Sequence, residues 1–301
     1  MTPHLSIGLS TAALAFAGIV SAQNATVPEY GPPKGTLIIV GGGRLEGTGI
    51  METFVNRAGG PGAKIIVVPT AAGNKDSRGN WTVYKEAEII GPWLKLGATN
   101  VHMLHTHDPK EADTEEFART LKDAKGVWFN GGRQWNCVDS YMNTLTYREF
   151  HNVLARGGVI GGSSAGATIQ GDYLVRGAIE GPDIVITPEP QHERGFQFLR
   201  RSAIDQHINT RNRWDDLQPV MKKYPELLGI GLSEATAILV NGDRFEVAGK
   251  WKVAIWDSTQ PREPWEKPFF VLSAGDVYNM KTRRVEKYGI GNQVPVSIQG
   301  H

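Results

Sequence analysis

What this sequence is short of limits what it can be. Its 301 residues include a single cysteine, Cys137, so no intramolecular disulfide can form and the fold must rest on its core in any redox compartment. An excess of one charge is also missing. The 32 Lys+Arg and 31 Asp+Glu residues leave a net charge of +1, which argues against nucleic acid or another polyanion as partner. Beyond the first 22 residues no apolar run approaches the ~20 residues of a membrane-spanning helix. No Pro/Ser-rich linker, internal repeat or low-complexity stretch divides the chain. With 40% hydrophobic and 21% charged residues, the composition excludes a disordered chain and supplies a sizeable core. At roughly 150 residues per domain the length allows two domains. The missing linker favours one, from residue 23 to 301.

The amino terminus has a composition of its own. Residues 5–20 carry no charge, are mostly Leu, Ala, Ile, Val, Gly, Ser and Thr, and lead to Val20-Ser21-Ala22 before Gln23. That pattern of an apolar segment and a small-residue cleavage site predicts a signal peptide over residues 1–22 and a secreted, extracellular protein. The segment before it offers only the terminal amine and His4 where Lys or Arg is customary, so a buried N-terminal helix is the alternative. Two Asn-x-Thr tripeptides, Asn24-Ala25-Thr26 and Asn80-Trp81-Thr82, mark Asn24 and Asn80 as N-glycosylation acceptors of such a protein.

From Gly35 to about Val240 short apolar runs alternate with amphipathic stretches, the pattern of a parallel sheet covered by helices. The runs are Thr36–Val40, Lys64–Val68, Val101–Leu104, Gly126–Phe129 and Gly158–Ile160, mostly rich in β-branched residues, as strands buried on both faces should be. Helices are predicted over Val83–Leu96, with Val83, Ala87, Ile90 and Leu94 facing inward, and over Asp113–Leu121, capped by Asp113 or Thr114. From about residue 241 the chain becomes β-rich: a turn at Asn241-Gly242-Asp243, then Arg244–Ala248, Val253–Trp256, Phe269–Leu272 and Val277–Met280. These are expected to flank the main sheet as extra strands and a hairpin.

The most informative segment is Gly158-Val-Ile-Gly-Gly-Ser163-Ser164-Ala165-Gly166. It sets Gly-x-Ser-x-Gly directly after a buried strand and before a helix, the context in which the motif builds a sharp turn that presents its central side chain. Ser164 is therefore the candidate nucleophile. Ser163 fails the test because Ala165 follows two residues later. An ordinary strand-to-helix turn capped by serine is the bland alternative. A nucleophile of this kind needs donors for the charge that develops on the attacked carbonyl. The Ala165 N–H comes with the turn, and the loop Asn130-Gly131-Gly132-Arg133-Gln134 offers a second, at Gly132.

A base is needed next. Among the eight histidines, His207 stands out because it follows Ile204-Asp205-Gln206 and precedes Arg211 and Arg213, a polar setting for a strand end. His102, His105 and His107 invite a metal reading, but only Asp108 accompanies them at ligand spacing, and no metal is expected. Gly41-Gly42-Gly43 mimics half of a dinucleotide fingerprint, yet Glu46 stands where the third glycine is required, and no cofactor is expected.

Together, Gly41-Gly42-Gly43, Ile66–Ala71, Phe129–Gln134, Gly161–Gly166, Ile204–His207 and Gly229–Ala237 occur in an order that resembles the serine peptidase family of cyanophycinases and aspartyl dipeptidases, and most of all its cyanophycinase branch. The resemblance implies an α/β, flavodoxin-like three-layer sandwich with a mostly parallel sheet, related to class I glutamine amidotransferase domains, here with a β-rich C-terminal extension. It implies Ser164 as nucleophile, His207 as general base and a carboxylate as third member. Glu234 lies in a segment similar to the family's Asp-Glu-x-Thr-Ala, whereas Glu180 lies at the spacing seen in related dipeptidases. Gln134, Gln206, Arg133, Arg211 and Arg213 are the implied substrate-binding residues, and the resemblance is compatible with a homodimer.

Two departures bear on the substrate. The family's usual Gly-Gly-Asp-Gln here has Arg133 in place of the acid. Its Arg-x-Arg-x-x-Arg run reads Arg211-Asn212-Arg213-Trp214-Asp215-Asp216. Arg211 and Arg213 could hold an aspartyl carboxylate, but a site built for β-Asp-Arg units is altered. The expected activity is that of a serine peptidase cleaving peptide or isopeptide bonds through an acyl-enzyme, with an acidic or β-aspartyl preference. The alternatives are an amidase or acyl transferase on a small molecule and a silent binding protein of the same fold.

Overall fold

A computed structural model of the chain describes Met1, residues 27–263 and residues 265–289. Apart from Met1, the expected signal peptide lies outside the described residues, as does Asn24. The elements begin with β1 (Thr36–Val40), α1 (Ile50–Arg57), β2 (Ile65–Val68), α2 (Glu86–Lys95), β3 (Val101–Met103), α3 (Pro109–Ala112), α4 (Glu115–Ala118) and β4 (Gly126–Phe129). They continue with α5 (Trp135–Tyr141), α6 (Leu145–Ala155), β5 (Val159–Ser163), α7 (Ala165–Thr168), β6 (Ser202–Gln206), α8 (Gln218–Lys223), β7 (Leu228–Leu232) and β8 (Thr236–Asn241). The last are β9 (Arg244–Gly249), β10 (Val253–Asp257), β11 (Phe269–Leu272), β12 (Val277–Asn279) and β13 (Arg284–Lys287).

Nine strands form one sheet in the order β13-β12-β9-β8-β1-β5-β4-β2-β3. Every pairing from β1 through β5, β4 and β2 to β3 is parallel. Every pairing from β1 through β8, β9 and β12 to β13 is antiparallel. A second sheet has the order β11-β10-β7-β6. The C-terminal strands therefore do more than flank the main sheet: β9, β12 and β13 extend it, while β10 and β11 leave to join β7 and β6. Alternation identifies a strand in either place and does not say which sheet receives it.

Side-chain alternation in β1 divides the interior. Leu37 and Ile39 join Ile66, Val68, Val127, Phe129 and Ile160 on the face covered by α5 to α7 and the second sheet. Ile38 and Val40 join Ile65, Val67 and Trp128 on the face covered by α1 and α2. Fully burying one such side chain is worth roughly 1.5–3 kcal/mol. The first cluster runs from Tyr30 to Met280, so both sheets share one core.

The inward face of α2 differs from the expected one. Val83 and Leu94 are exposed, whereas Ile89, Ile90 and Trp93 turn inward. Trp93 packs edge-on against Phe54 and Trp128 at 5.4 Å from each, and the helix starts only at Glu86, which removes Val83 from its periodicity. Thr114 is the cap of α4, accepting from the Phe117 N–H at 3.3 Å, while Asp113 accepts from Leu145 at the start of α6. β5 runs past Ile160 through Gly161 and Gly162. Both must lack a side chain there: a Cβ on Gly161 would lie 2.6 Å from the Trp128 ring, and one on Gly162 would lie 2.2 Å from the Gly166 carbonyl oxygen.

Candidate active site

The chain leaves β5 through Ser164, whose φ of 59° and ψ of −117° are unusual for a residue with a side chain. Such a conformation costs of order 1–3 kcal/mol and persists only where its surroundings enforce it. They do so here through the Ser164 N–H, which donates to the Val40 carbonyl at 3.0 Å, and through close packing on both sides. A Cβ on Gly166 would sit 2.0 Å from the Phe129 carbonyl oxygen. Ser163, by contrast, is the last residue of β5, paired with Val40.

Ser164 Oγ lies 2.8 Å from His207 Nε2, and His207 Nδ1 lies 2.6 Å from Glu234 Oε1. The carboxylate can only accept, so Nδ1–H donates to Glu234 and Nε2 is left to accept the serine hydroxyl. Thr210 Oγ donates to the same Glu234 oxygen at 2.9 Å, and Asn209 Oδ1 accepts the Glu234 N–H at 2.9 Å. Burial holds the His207 pKa below its usual value. The Glu234 hydrogen bond and charge oppose that shift, and the Arg211 and Arg213 charges add to it. For Glu234, burial alone would raise the pKa, but the bonds from His207 and Thr210 hold it below the usual range. The imidazole is thus neutral and basic at neutral pH beside an ionised carboxylate.

The two acid candidates separate. Glu180 is exposed, and both ring nitrogens of His207 are already engaged by Ser164 and Glu234. Glu234 occupies the corner Ser233-Glu234-Ala235, where the chain passes from β7 of the small sheet to β8 of the large one. Ser164 leaves the large sheet and His207 the small one, so the three side chains meet across the seam between the sheets.

Gly41-Gly42-Gly43 lies along that seam, a placement that sequence reasoning missed. The Gly41 carbonyl accepts the His207 N–H at 2.9 Å, and the Gly42 carbonyl accepts the Ala235 N–H at 2.8 Å. A Cβ on Gly42 would lie 2.2 Å from His207 Cε1, and one on Gly43 would lie 2.7 Å from Glu234 Oε2. The run is bare because an imidazole and a carboxylate rest on it. The available signal was that three glycines end a strand without completing any phosphate-binding pattern.

Ala165 opens α7, so its N–H has no partner within the helix. Of the two loop glycines, Gly131 is the nearer to the serine: its Cβ would lie 3.2 Å from Ser164 Cβ and 3.6 Å from Oγ. Gly132, at φ 140°, turns instead against Ala71, whose carbonyl oxygen would be 1.9 Å from its Cβ.

Several residues read as substrate-binding have internal partners. Gln134 is buried, and its amide nitrogen donates to the carbonyls of Val175 and Arg176 at 2.5 and 2.8 Å. Arg133 donates to the Ala178 carbonyl, and burial lowers its pKa. Gln206 is buried with its Oε1 lacking a partner among the described residues. Arg211 is exposed. Arg213 is buried and reaches Asp183 at 3.3 Å. His102 contacts Asn100, His105 bonds Thr70, and His107 stacks on Trp81, so the three histidines do not converge.

One ion network had no signal in the sequence. Arg176, 3% exposed, bonds Asp205 through Nε at 3.0 Å and Nη2 at 3.2 Å. It also pairs with Asp216 and donates to the Pro182 carbonyl at 2.7 Å. Asp216 therefore stands where a third arginine was looked for and is itself bound to an arginine from elsewhere in the chain.

The model of peptidase family S51 matches residues 37–248, a span that includes Ser164, His207 and Glu234. The chain belongs to this family. It is accordingly a serine-type peptidase of mixed α/β fold. The chain is similar to the cyanophycinase of Synechococcus elongatus, 28% identical over 280 residues, 87% of this chain and 84% of that protein. It is also similar to the cyanophycinase of Geminocystis herdmanii, 25% identical over 275 residues, 83% of this chain and 96% of that one. Its fold is similar to that of a peptidase from an acI-B1 Actinobacterium, with a TM-score of 0.60 at 23% identity, covering 82% of this chain and 97% of the other.

Proposed function

We propose that this peptidase is secreted and hydrolyses peptide or isopeptide bonds through an acyl-enzyme, with preference for an acidic or β-aspartyl residue on the acyl side. The observation behind the mechanism is the unbroken chain of short hydrogen bonds from Ser164 through His207 to Glu234. His207 takes the Ser164 proton as Oγ attacks the carbonyl carbon. The resulting oxyanion is met by the Ala165 N–H and by an N–H of the Gly131-Gly132 loop, each worth roughly 3–4 kcal/mol of barrier. Collapse breaks the C–N bond as His207 passes its proton to the leaving amine. Water, deprotonated by the same imidazole, then cleaves the ester. Glu234 holds the ring in the required tautomer and stabilises its cation without taking the proton.

The acidic preference draws on Arg211 and Arg213, whose charges reach His207, and on the similarity to cyanophycinases. The flavodoxin-like assignment draws on strand order: β3-β2-β4-β5 repeats the 2-1-3-4 order of that class, with β1 in the fifth place. Secretion draws on residues 1–22. Glycosylation at Asn80 draws on its exposed place in the turn closed by the Lys75–Trp81 bridge.

The test is release of dipeptides from a panel of α- and β-aspartyl peptides, with Ser164→Ala as control and fluorophosphonate labelling of the native protein. Labelling at Ser164 with selective cleavage of aspartyl substrates is expected. Hydrolysis that survives Ser164→Ala overturns the mechanism, and an unlabelled Ser164 in a folded protein identifies a binding protein instead. Secreted material beginning at Gln23, and losing mass on glycosidase treatment unless both Asn24 and Asn80 are replaced, checks the remaining points.

A further inference from the structure

Three guanidinium groups bond to the segment from Ala178 to Asp183. Arg133 donates to the Ala178 carbonyl, Arg176 to the Pro182 carbonyl, and Arg213 Nη2 to Asp183 Oδ1 at 3.3 Å. The first two bonds hold backbone. The third ends on a side chain that is 90% exposed, whereas the Arg213 side chain is 6% exposed. Arg213 Nη1 is buried with no hydrogen-bond partner among the described residues. A buried guanidinium with one long contact and an unpartnered Nη1 retains N–H groups for a bidentate carboxylate. The Asp183 charge also acts on Arg133, opposing the effect of burial on both arginines. One acidic side chain thus acts on two cations, sharing Arg213 with the charge of Asp205.

We propose that Asp183 is an intramolecular stand-in for the substrate's carboxylate, occupying the Arg213 fork in the free protein and yielding it when an acidic acyl-side residue binds. This rests on the acidic preference proposed above. The displacement costs little structure, because the bonds to Ala178 and Pro182 keep the backbone in place while the Asp183 carboxylate turns to water. A neutral side chain has no charge with which to compete, so the stand-in sharpens discrimination at the expense of affinity.

The test measures the Kd of N-acetylaspartate and of N-acetylalanine on inactive Ser164→Ala protein, alone and with Asp183→Asn, Asp183→Glu or Arg213→Gln added, together with KM and kcat of the Asp183 variants that retain Ser164. N-acetylaspartate should bind in preference to N-acetylalanine. Asp183→Asn should tighten it by about two- to fivefold, the range an ion pair with one exposed partner supports. KM for aspartyl substrates should fall by the same factor with a smaller change in kcat, and Asp183→Glu should resemble the parent. With Arg213→Gln present, Asp183→Asn should have no effect. Unchanged or weaker binding by Asp183→Asn, with selectivity intact, overturns the stand-in and leaves the acidic preference standing. Equal binding of the two ligands by the Ser164→Ala protein overturns both.

Discussion

Replacing Glu234 by Gln separates this site from any arrangement that merely contains a serine and a histidine. The substitution keeps the shape of the side chain and removes the charge that lies 2.6 Å from His207 Nδ1. Taking ~4 Å between charge centres, the carboxylate stabilises the imidazolium by ~1 kcal/mol at the dielectric of water and ~4 kcal/mol at an effective value of 20. At ~1.4 kcal/mol per unit, His207 should then lose its proton about one to three pH units lower in the variant. The sign follows from Glu234 being one of the groups that oppose the lowering of the His207 pKa by burial. Hydrolysis requires neutral His207, so kcat/KM rises with pH through the His207 pKa, at a pH below the usual value for histidine, and then levels off. The variant should show that rise at still lower pH, with a plateau lower by about 10²- to 10⁴-fold, because the amide permits the wrong tautomer and cannot stabilise the cation. The assay is the pH dependence of kcat/KM on an aspartyl anilide, with Glu180→Gln as comparison. Glu180 is exposed, and its replacement should change kcat/KM by less than about twofold. A rise that stays in place or moves upward in Glu234→Gln, or equal losses in the two variants, would refute the assignment.

Other perturbations address what surrounds the three side chains. Gly42→Ala places a Cβ 2.2 Å from the His207 ring at a φ of 107°, and kcat/KM should fall about 100-fold while circular dichroism shows a folded protein. Gly166→Ala meets the Phe129 carbonyl at 2.0 Å, where backbone cannot give way. A loss of about 1–3 kcal/mol, read as roughly 2–4 °C in Tm for each kcal/mol, is expected. Arg176→Met leaves Asp205 charged at 0% exposure and should cost about 3–5 kcal/mol in urea unfolding; an unchanged midpoint would show that the network contributes no stability.

The serine was legible because its geometry is local. Gly162, Ser164 and Gly166 lie within one turn of chain, and the crowding that selects them comes from neighbours a few residues away or on the adjoining strand. His207 was legible by its polar neighbours, but the choice between Glu234 and Glu180 depends on which strand end faces the imidazole, and that is decided by β7 joining the second sheet. For the same reason Gly41-Gly42-Gly43 resembled a failed nucleotide loop until its contacts with His207 and Glu234, distant in the chain, were in view. Arg133 and Gln134 were read as substrate-binding because the family resemblance implies it. Their partners are carbonyls from Val175 to Ala178, on a segment whose path has no periodic signature. The inward face of α2 was misplaced for a simpler reason: periodicity assumes a helix start, and the start lies three residues later than the first apolar residue counted.

The three-residue corner Ser233-Glu234-Ala235 spans from one sheet to the other while holding the carboxylate against the imidazole. Its length is fixed at both ends, by the Leu232 carbonyl that accepts from Ile208 and by the Gly42 carbonyl that accepts from Ala235. A single inserted or deleted residue there would slide β8 out of register with β1 or draw Glu234 away from its ring. The stretch 258–263, between β10 and β11, supplies no hydrogen-bond partner to Ser164, His207 or Glu234 among the described residues. Homologous chains can therefore differ freely in size at the second place and should keep the same residue count at the first, whatever they cleave.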